Sequence, residues 1–279
     1  MGEYHVPVLL QSVCTLLKVE PGKRYIDATL GGGGHAAAII SFGGEVLGLD
    51  QDPDALSACP DLDHLIKVRA NFIHLREVAE AHQWFPVDGV VFDLGVSSHQ
   101  ISAPRRGFSF QSDGPLDMRM DPSLSATAAD LINVLSLKDL VKIMRDFGQV
   151  PSAESLCRRI IAARPVTTTG QLARILPGPD IRRQVFQALR IAVNDELGAL
   201  KEALPQALSL LIPGGGLVVI SFHSLEDRLV KTQFSDWNSQ GKGKILTPKP
   251  VTADELEIQT NPKSKSAKLR AFQKSYEKN

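Results

Sequence analysis

The first hundred residues alternate short apolar runs with stretches whose apolar positions recur three and four apart. KRYIDATL (23–30) reads as a strand and residues 35–42 as the helix after it. EVLGLD (45–50) is a second strand, followed by a helix that Pro53 opens at its first turn. IKVRA (66–70) is a third strand, 72–83 a helix, and VDGVVFDLG (87–95) a fourth strand. Strands separated by helices of this length require right-handed crossovers and a parallel sheet. The alternation resumes near the end. ELGALKEALPQALSLL (196–211) is a helix, PGG turns the chain, and LVVISFHS (217–224) is an apolar strand. SLEDRLVKTQF (224–234) is a helix with Ser224 and Asp227 spaced as a capping box. GKILTPK (243–249) and AKLRAFQK (267–274) read as a last strand pair.

Residues 109–189 have a different texture. ATAADLINVL, LKDLVKIMRDF, ESLCRRIIAAR, TTGQLARIL and IRRQVFQALRI are helical patterns with few β-branched runs between them. They read as an inserted helical domain, with 1–108 and 190–279 forming the sheet domain around it.

Composition changes this picture little. The 279 residues are 43% hydrophobic, enough for a packed core, and no apolar run approaches the ~20 residues of a membrane span. The start lacks a signal-peptide pattern, and Cys14, Cys59 and Cys157 have neither disulfide nor zinc spacing. These features place the protein in the cytoplasm with reduced thiols. The net charge of zero hides an asymmetry. Residues 138–190 hold ten Lys and Arg against four Asp and Glu, and 231–279 hold ten against five. Two basic segments on an acidic body are either a nucleic-acid footprint or solvated helix faces.

The candidate chemistry starts at YIDATLGGGGHAAAII (25–40). Gly31, Gly33 and Ala36 satisfy the dinucleotide pattern G-x-G-x-x-A, and Asp50 stands where a ribose-binding acid is expected. Three acids argue against a pyrophosphate. Asp27, Asp50 and Asp93 all fall at the ends of strands, where an open parallel sheet binds its ligand. Three carboxylates suit a ligand with a diol, an amine and a cation but no phosphate. S-adenosylmethionine has that character. Asp50 then accepts from the ribose. Phe72 either packs on the adenine or is a core aromatic, and His35 either contacts the cofactor or lies at the helix start. No metal site is expected, because no second ligand stands at a helical spacing from His35.

With DATLGGGGH, GLDQD, DLGVSSHQ, RGFSF, GPLDMRM, FQALRIAVNDEL and SFHSLEDRLVK in order, the chain resembles the bacterial small-subunit ribosomal RNA methyltransferase H family, the 16S rRNA cytosine-N4 methyltransferases. The likeness runs from HVPVLL at His5 to NPKSKSAKLR ending at Arg270. It implies a Rossmann-like class I S-adenosylmethionine-dependent methyltransferase sheet with an inserted all-helical domain. It also implies S-adenosylmethionine as cofactor and a cytosine of the decoding region, within small-subunit rRNA, as substrate. The substrate-bearing partner is then the assembled small subunit, no membrane is involved, and oligomeric state is left open, a homodimer included. Matching positions imply cofactor contacts at Gly33, Gly34, His35, Asp50, Phe72, Asp93 and Gln100. Two stretches depart from the family pattern: Phe147-Gly148-Gln149-Val150 and Asp180-Ile181-Arg182-Arg183-Gln184. Both fall in the insert and put its grip on RNA in question.

Within that reading, Asp93 of DLGVSS either accepts from the cytosine amine or chiefly contacts the cofactor. Arg105, Arg106 and Phe108 of RRGFSF, with Phe110, are candidates to hold phosphates and stack on an unstacked base, or to pack the domain junction. Asp117 and Arg119 are substrate-side candidates or a structural pair. Arg182 and Arg183, with Arg158, Arg159, Arg190, Lys263, Lys265, Lys268 and Arg270, are candidate phosphate contacts. His223 and Ser224 lack a nucleophile-elbow context, which excludes a hydrolase. Two rival functions stay open: a non-catalytic rRNA-binding assembly factor and a nicotinamide-dependent oxidoreductase.

Overall fold

The structure, a computed structural model, describes residues 7–276, the side chain of Ser98 aside; His5 and Val6 of HVPVLL lie outside them. The chain divides into two compact units, one formed by residues up to Gly95 together with those from Leu197 on, the other by Val96–Glu196. No helix among the described residues is long and apolar enough to cross a membrane.

In the first unit, α1 (Leu10–Leu17) precedes β1 (Arg24–Asp27), α2 (Gly34–Ser41), β2 (Glu45–Asp50), α3 (Pro53–Ala58), β3 (Leu65–Arg69), α4 (Leu75–Ala81) and β4 (Val87–Asp93). The second unit supplies α5 (Ser98–Ser102), α6 (Ala128–Val134), α7 (Leu137–Asp146), α8 (Ala153–Ala162), α9 (Thr169–Ile175) and α10 (Gly178–Asn194). The first resumes with α11 (Glu196–Leu210), β5 (Leu211–Ser221), α12 (Ser224–Ser239), β6 (Gly243–Ile245), α13 (Glu255–Thr260) and β7 (Lys268–Lys274). The seven strands form one sheet in the order β3-β2-β1-β4-β5-β7-β6. Strands β1 to β5 run parallel, and β7 is antiparallel to both neighbours.

Apolar cores cover both faces of the sheet, as a largely parallel sheet requires. Ile26, Leu47, Leu49, Val90, Phe92 and Val219 pack with Leu200 and Leu204 of α11 and Phe234 and Trp237 of α12. Tyr25, Val46, Val91, Val218 and Ile220 pack on the other side with Val13 of α1 and Ile39 of α2. The final strand pair forms where expected, with Ile245 opposite Phe272.

Three local expectations need correction. The helix expected over 72–83 is a 3-10 turn at Phe72–His74 capped by Asn71, then α4, ending at Ala81. PGG does not precede β5 but lies inside it. Leu211 already pairs with Val87, the register then shifts by three residues before Gly216 pairs with Gly89, and Gly214 lies within that irregularity at φ 82°. The capping box of α12 is formed by His223 and Glu226 rather than Ser224 and Asp227; Asp227 instead pairs with Arg270 at 2.6 Å.

The second unit begins at Val96 and ends at Glu196, where the patterning placed an insert at 109–189. Arg106 explains the earlier start. It is 8% exposed and donates to the carbonyls of Arg119 and Met120, tying 96–108 to this unit. All five helical patterns form helices, three of which carry Ser or Thr caps. The two departures from the family pattern lie against each other. Gly148 sits so close to the carbonyl of Gln184 that an added Cβ would lie 2.9 Å from it. Gln187 donates to the carbonyl of Phe147 at 3.1 Å.

Asn194 closes this unit. Its amide donates to the Met118 carbonyl at 2.8 Å, and its oxygen accepts from the Met120 N–H at 2.7 Å. Asn194→Leu leaves both backbone groups buried and unpaired, at about 2–4 kcal/mol. Denaturant unfolding of the full chain should show that loss; a change below about 0.5 kcal/mol would make the pair dispensable.

Candidate functional site

Because β1, β2 and β4 are parallel and adjacent, their last residues reach the same edge of the sheet. Asp27 ends β1, Asp50 ends β2 and Asp93 ends β4. Asp27 is 1% exposed; its Oδ1 accepts from the Thr29 N–H at 3.2 Å and its Oδ2 is buried without a partner among the described residues. Burial pushes its pKa up to about 6, against the pull of His35 and with added repulsion from Asp93 and Asp50. Asp50 accepts from Gly31 N–H and Asp52 N–H, each at 2.8 Å, yet burial still raises it to about 6. Asp93 donates its N–H to Thr29 Oγ1 at 2.6 Å, and its Oδ1 is buried without a partner among the described residues. Burial, then Glu226, push it up to about 7 against Lys263.

Buried carboxylate oxygens without partners are costly unless a donor or cation meets them. Here two such oxygens and a half-buried third acid stand at one sheet edge. That arrangement fits S-adenosylmethionine, whose hydroxyls, ammonium and sulfonium carry no phosphate. It repels a pyrophosphate, and the nicotinamide reading falls with it.

The glycine loop is packed closely against the protein itself. Gly33, at φ 79° as the N-cap of α2, approaches Cys59 and not open space: a Cβ there would lie 2.5 Å from Cys59 Sγ. A Cβ on Gly34 would collide with Pro7. These glycines therefore admit the protein's own side chains, while the backbone of Gly31 holds Asp50. Gly33→Ala should cost about 2–4 kcal/mol, from overpacking and a left-handed backbone. Adding Cys59→Ala should return only the steric part, since Cys59 Cβ stays 3.8 Å away. A double-mutant cycle from denaturant midpoints measures that coupling; additive losses would deny the contact.

His35 is buried in the first turn of α2, with Nε2 3.0 Å from the Val8 carbonyl and Nδ1 3.6 Å from Asp93 Oδ2. Burial holds its pKa down despite Asp27. Phe72 is half-buried and meets Phe92 edge-on at 5.7 Å, so its ring packs on the core.

Most of the remaining candidates belong to the second unit. Gln100 closes a capping box with Ser97. Arg105 is exposed, whereas Arg106 is committed to two carbonyls, which removes it as a ready phosphate donor. Phe108 and Phe110 pack on this unit's core, Phe110 edge-on to Phe186 at 5.2 Å. Arg119 forks onto Asp117 at 2.8 and 2.9 Å and donates to the carbonyls of Pro122 and Leu124. That is a structural pair. Arg182 is half-buried near the Leu176 carbonyl, and Arg183 pairs with Asp180 at the surface. Lys263, a candidate phosphate contact, is half-buried in the structure, and burial, opposed by Asp93, lowers its pKa. Glu226, in the first turn of α12, also bears on Asp93.

The comparisons with known proteins agree over the whole chain. "Ribosomal RNA small subunit methyltransferase H" of Symbiobacterium thermophilum is 44% identical, covering 98% of each chain. The protein of the same name from Heliobacterium modesticaldum is 43% identical over 97% of this chain and 98% of its own. A Streptococcus mutans methyltransferase solved in complex with SAH aligns at TM-score 0.45 and 12% identity, over 97% of this chain and 99% of that one; so low a likeness carries no argument. The MraW methylase family matches residues 2–275. The seven-stranded sheet with its helical insert is accordingly a Rossmann-like class I methyltransferase fold, and this chain belongs to the MraW methylase family.

Proposed function

We infer that the protein methylates the exocyclic N4 amine of a cytosine in the decoding region of 16S rRNA, acting in the cytoplasm on the assembled small subunit. It is an S-adenosylmethionine-dependent methyltransferase. The observation that carries the reading is the set of three acids at the ends of β1, β2 and β4, Asp27 buried and Asp50 and Asp93 half-buried, two of them with oxygens unpartnered among the described residues, in a chain of a methylase family.

When bound, S-adenosylmethionine supplies an electrophilic methyl group on a sulfonium. Asp50 is placed to accept from its ribose hydroxyls, since its two oxygens offer about four acceptor sites and the backbone N–H groups of Gly31, Gln51 and Asp52 do not fill them all. Asp27 offers negative charge to the cationic end, and Phe72 an aromatic edge to the adenine. The cytosine amine is a poor nucleophile because its lone pair is delocalised into the ring. Asp93 Oδ1, accepting one amine N–H, pulls that nitrogen toward a pyramidal, more nucleophilic form and aligns it. The cytosine must leave its stack to enter such a site.

The basic second unit supports RNA contact through its exposed Arg105, Arg158 and Arg183. Binding to rRNA should weaken steeply between 50 and 200 mM salt, by roughly ten-fold or more for a few phosphate contacts. A flat response in a filter-binding titration would remove these arginines from the interface.

The deciding experiment uses small subunits from cells lacking the modification, incubated with the protein and labelled S-adenosylmethionine. Nucleoside digestion should yield N4-methylcytidine. If the cofactor binds and no methylcytidine forms, the rival assembly-factor reading leads; the departures at 147–150 and 180–184 motivate it.

A further inference from the structure

His35 carries a feature that cofactor contact does not require. Its Nε2 faces the Val8 carbonyl at 3.0 Å, and a carbonyl oxygen can only accept, so Nε2 bears the ring proton. The other nitrogen, Nδ1, then presents a lone pair. It points at Asp93 Oδ2 from 3.6 Å, slightly beyond hydrogen-bond length, as catalytic contacts often are before substrate binds. The His35 ring and the backbone of Asp93 are held firmly. His35 is 4% exposed, and the Asp93 backbone is fixed by Thr29 and by its pairing with Ile220.

Converting R–NH2 into R–NH–CH3 with a sulfonium methyl turns the sulfonium into a thioether and releases one proton. We propose that His35 is a positioning residue for Asp93, its neutral Nδ1 receiving the hydrogen bond of the carboxylic acid that forms when Asp93 takes that proton. This rests on the amine-accepting role of Asp93 given above. The bonds balance. The N–H bond of the amine breaks as an O–H bond forms on Asp93 Oδ1, and half a turn of the carboxyl group about χ2 then brings that O–H to Nδ1 while Nε2–H stays hydrogen-bonded to the Val8 carbonyl. Asp93 is orphaned on Oδ1, the atom left for the amine, and faces His35 with Oδ2.

The surrounding charges favour a proton on this pair. Asp27 faces both His35 and Asp93, and Asp50 bears on Asp27. Glu226, in the first turn of α12, raises the proton affinity of Asp93, and Lys263, in the turn before β7, lowers it. With His35 held neutral by burial and Asp93 raised, the two are not charged together.

The test separates the two ring nitrogens. His35→Gln can keep a donor toward Val8 but loses the acceptor at Nδ1; His35→Asn keeps an acceptor near Nδ1 and loses the Val8 bond. With saturating cofactor and small subunits, kcat of His35→Gln should fall by about ten-fold or more, with less change in cofactor affinity. The acid limb of its kcat profile should move to lower pH, because the protonated acid has lost its acceptor. His35→Asn should lose more stability and less kcat. A structural role predicts the reverse order and an unmoved pH profile, which would overturn the proposal. In the ligand-free protein, 15N-histidine spectra at pH 7 should show His35 neutral with the proton on Nε2; a proton on Nδ1 would also overturn it. Wild-type protein that yields no methylcytidine removes the functional reading and this role together. Normal wild-type turnover with an unmoved His35→Gln profile removes this role alone.

Discussion

Asp93→Asn should lower single-turnover methylation by about 10²–10⁴-fold while changing cofactor affinity by less than about ten-fold. The substitution keeps the shape of the side chain at the end of β4 and its N–H bond to Thr29. It removes the capacity to take a proton and half the acceptor capacity. The amide oxygen can still accept from the amine on Oδ1, so orientation is partly preserved and proton removal is not. The amide nitrogen would also place a donor against His35 Nδ1, 3.6 Å from Oδ2, which helps the variant fold. Calorimetric titration with S-adenosylmethionine and quench-flow on small subunits separate the two quantities. Lost affinity with normal turnover per bound complex would make Asp93 a cofactor contact and end its catalytic role.

Asp93 was legible in the sequence for a simple reason. The apolar run Val90-Val91-Phe92 followed by Asp-Leu-Gly fixes both where the strand ends and which edge the acid reaches. The same logic found Asp27 and Asp50. What packs over Gly33 and Gly34 was not legible, because Cys59 and Pro7 lie far from the loop in sequence or outside its pattern. His223 and Ser224 show a different limit. H-x-x-E and S-x-x-D overlap with the same spacing, and only the backbone of α12 decides that the first is the cap. Arg106 is a third case. Its charge reads as a phosphate contact, but its carbonyl partners are 13 and 14 residues away and leave no periodic mark. Lys263 was read the same way, although it bears on Asp93 across the sheet edge where antiparallel β7 begins. Local patterns gave strands, helices and the acids that end them; burial created by distant chain gave each site residue its chemistry.

That burial also sets how the ligand-free protein should respond to pH. Asp27, Asp50 and Asp93 all sit above the ordinary carboxyl value of 3.8, at about 6, 6 and 7, each mainly because burial penalises the charged form. An acid whose folded pKa exceeds its unfolded pKa binds its proton more tightly in the folded chain. Its contribution to stability is therefore complete below about pH 4 and lost as pH rises through 6 to 7. Asp27 alone withdraws about 3 kcal/mol across that window, at 1.36 kcal/mol per pH unit. Asp117 and Asp227 act in the opposite sense but at lower pH. Each is pushed up by burial and pulled further down by Arg119 or by Arg270 and Lys268, so their contributions are lost only as pH falls toward 4 and below. Between pH 5 and 8 the ligand-free melting temperature should accordingly fall by several degrees. A cationic cofactor favours the ionised acids, so its affinity should rise over the same interval and the stabilisation it confers should widen. Asp27→Asn should flatten the ligand-free profile and weaken cofactor binding at pH 8. Scanning fluorimetry across that range, with and without S-adenosylmethionine, measures both. A melting temperature that rises from pH 5 to 8, with a ligand shift independent of pH, would mean that these carboxyls are already ionised in the folded protein and that the cofactor's charge is met elsewhere.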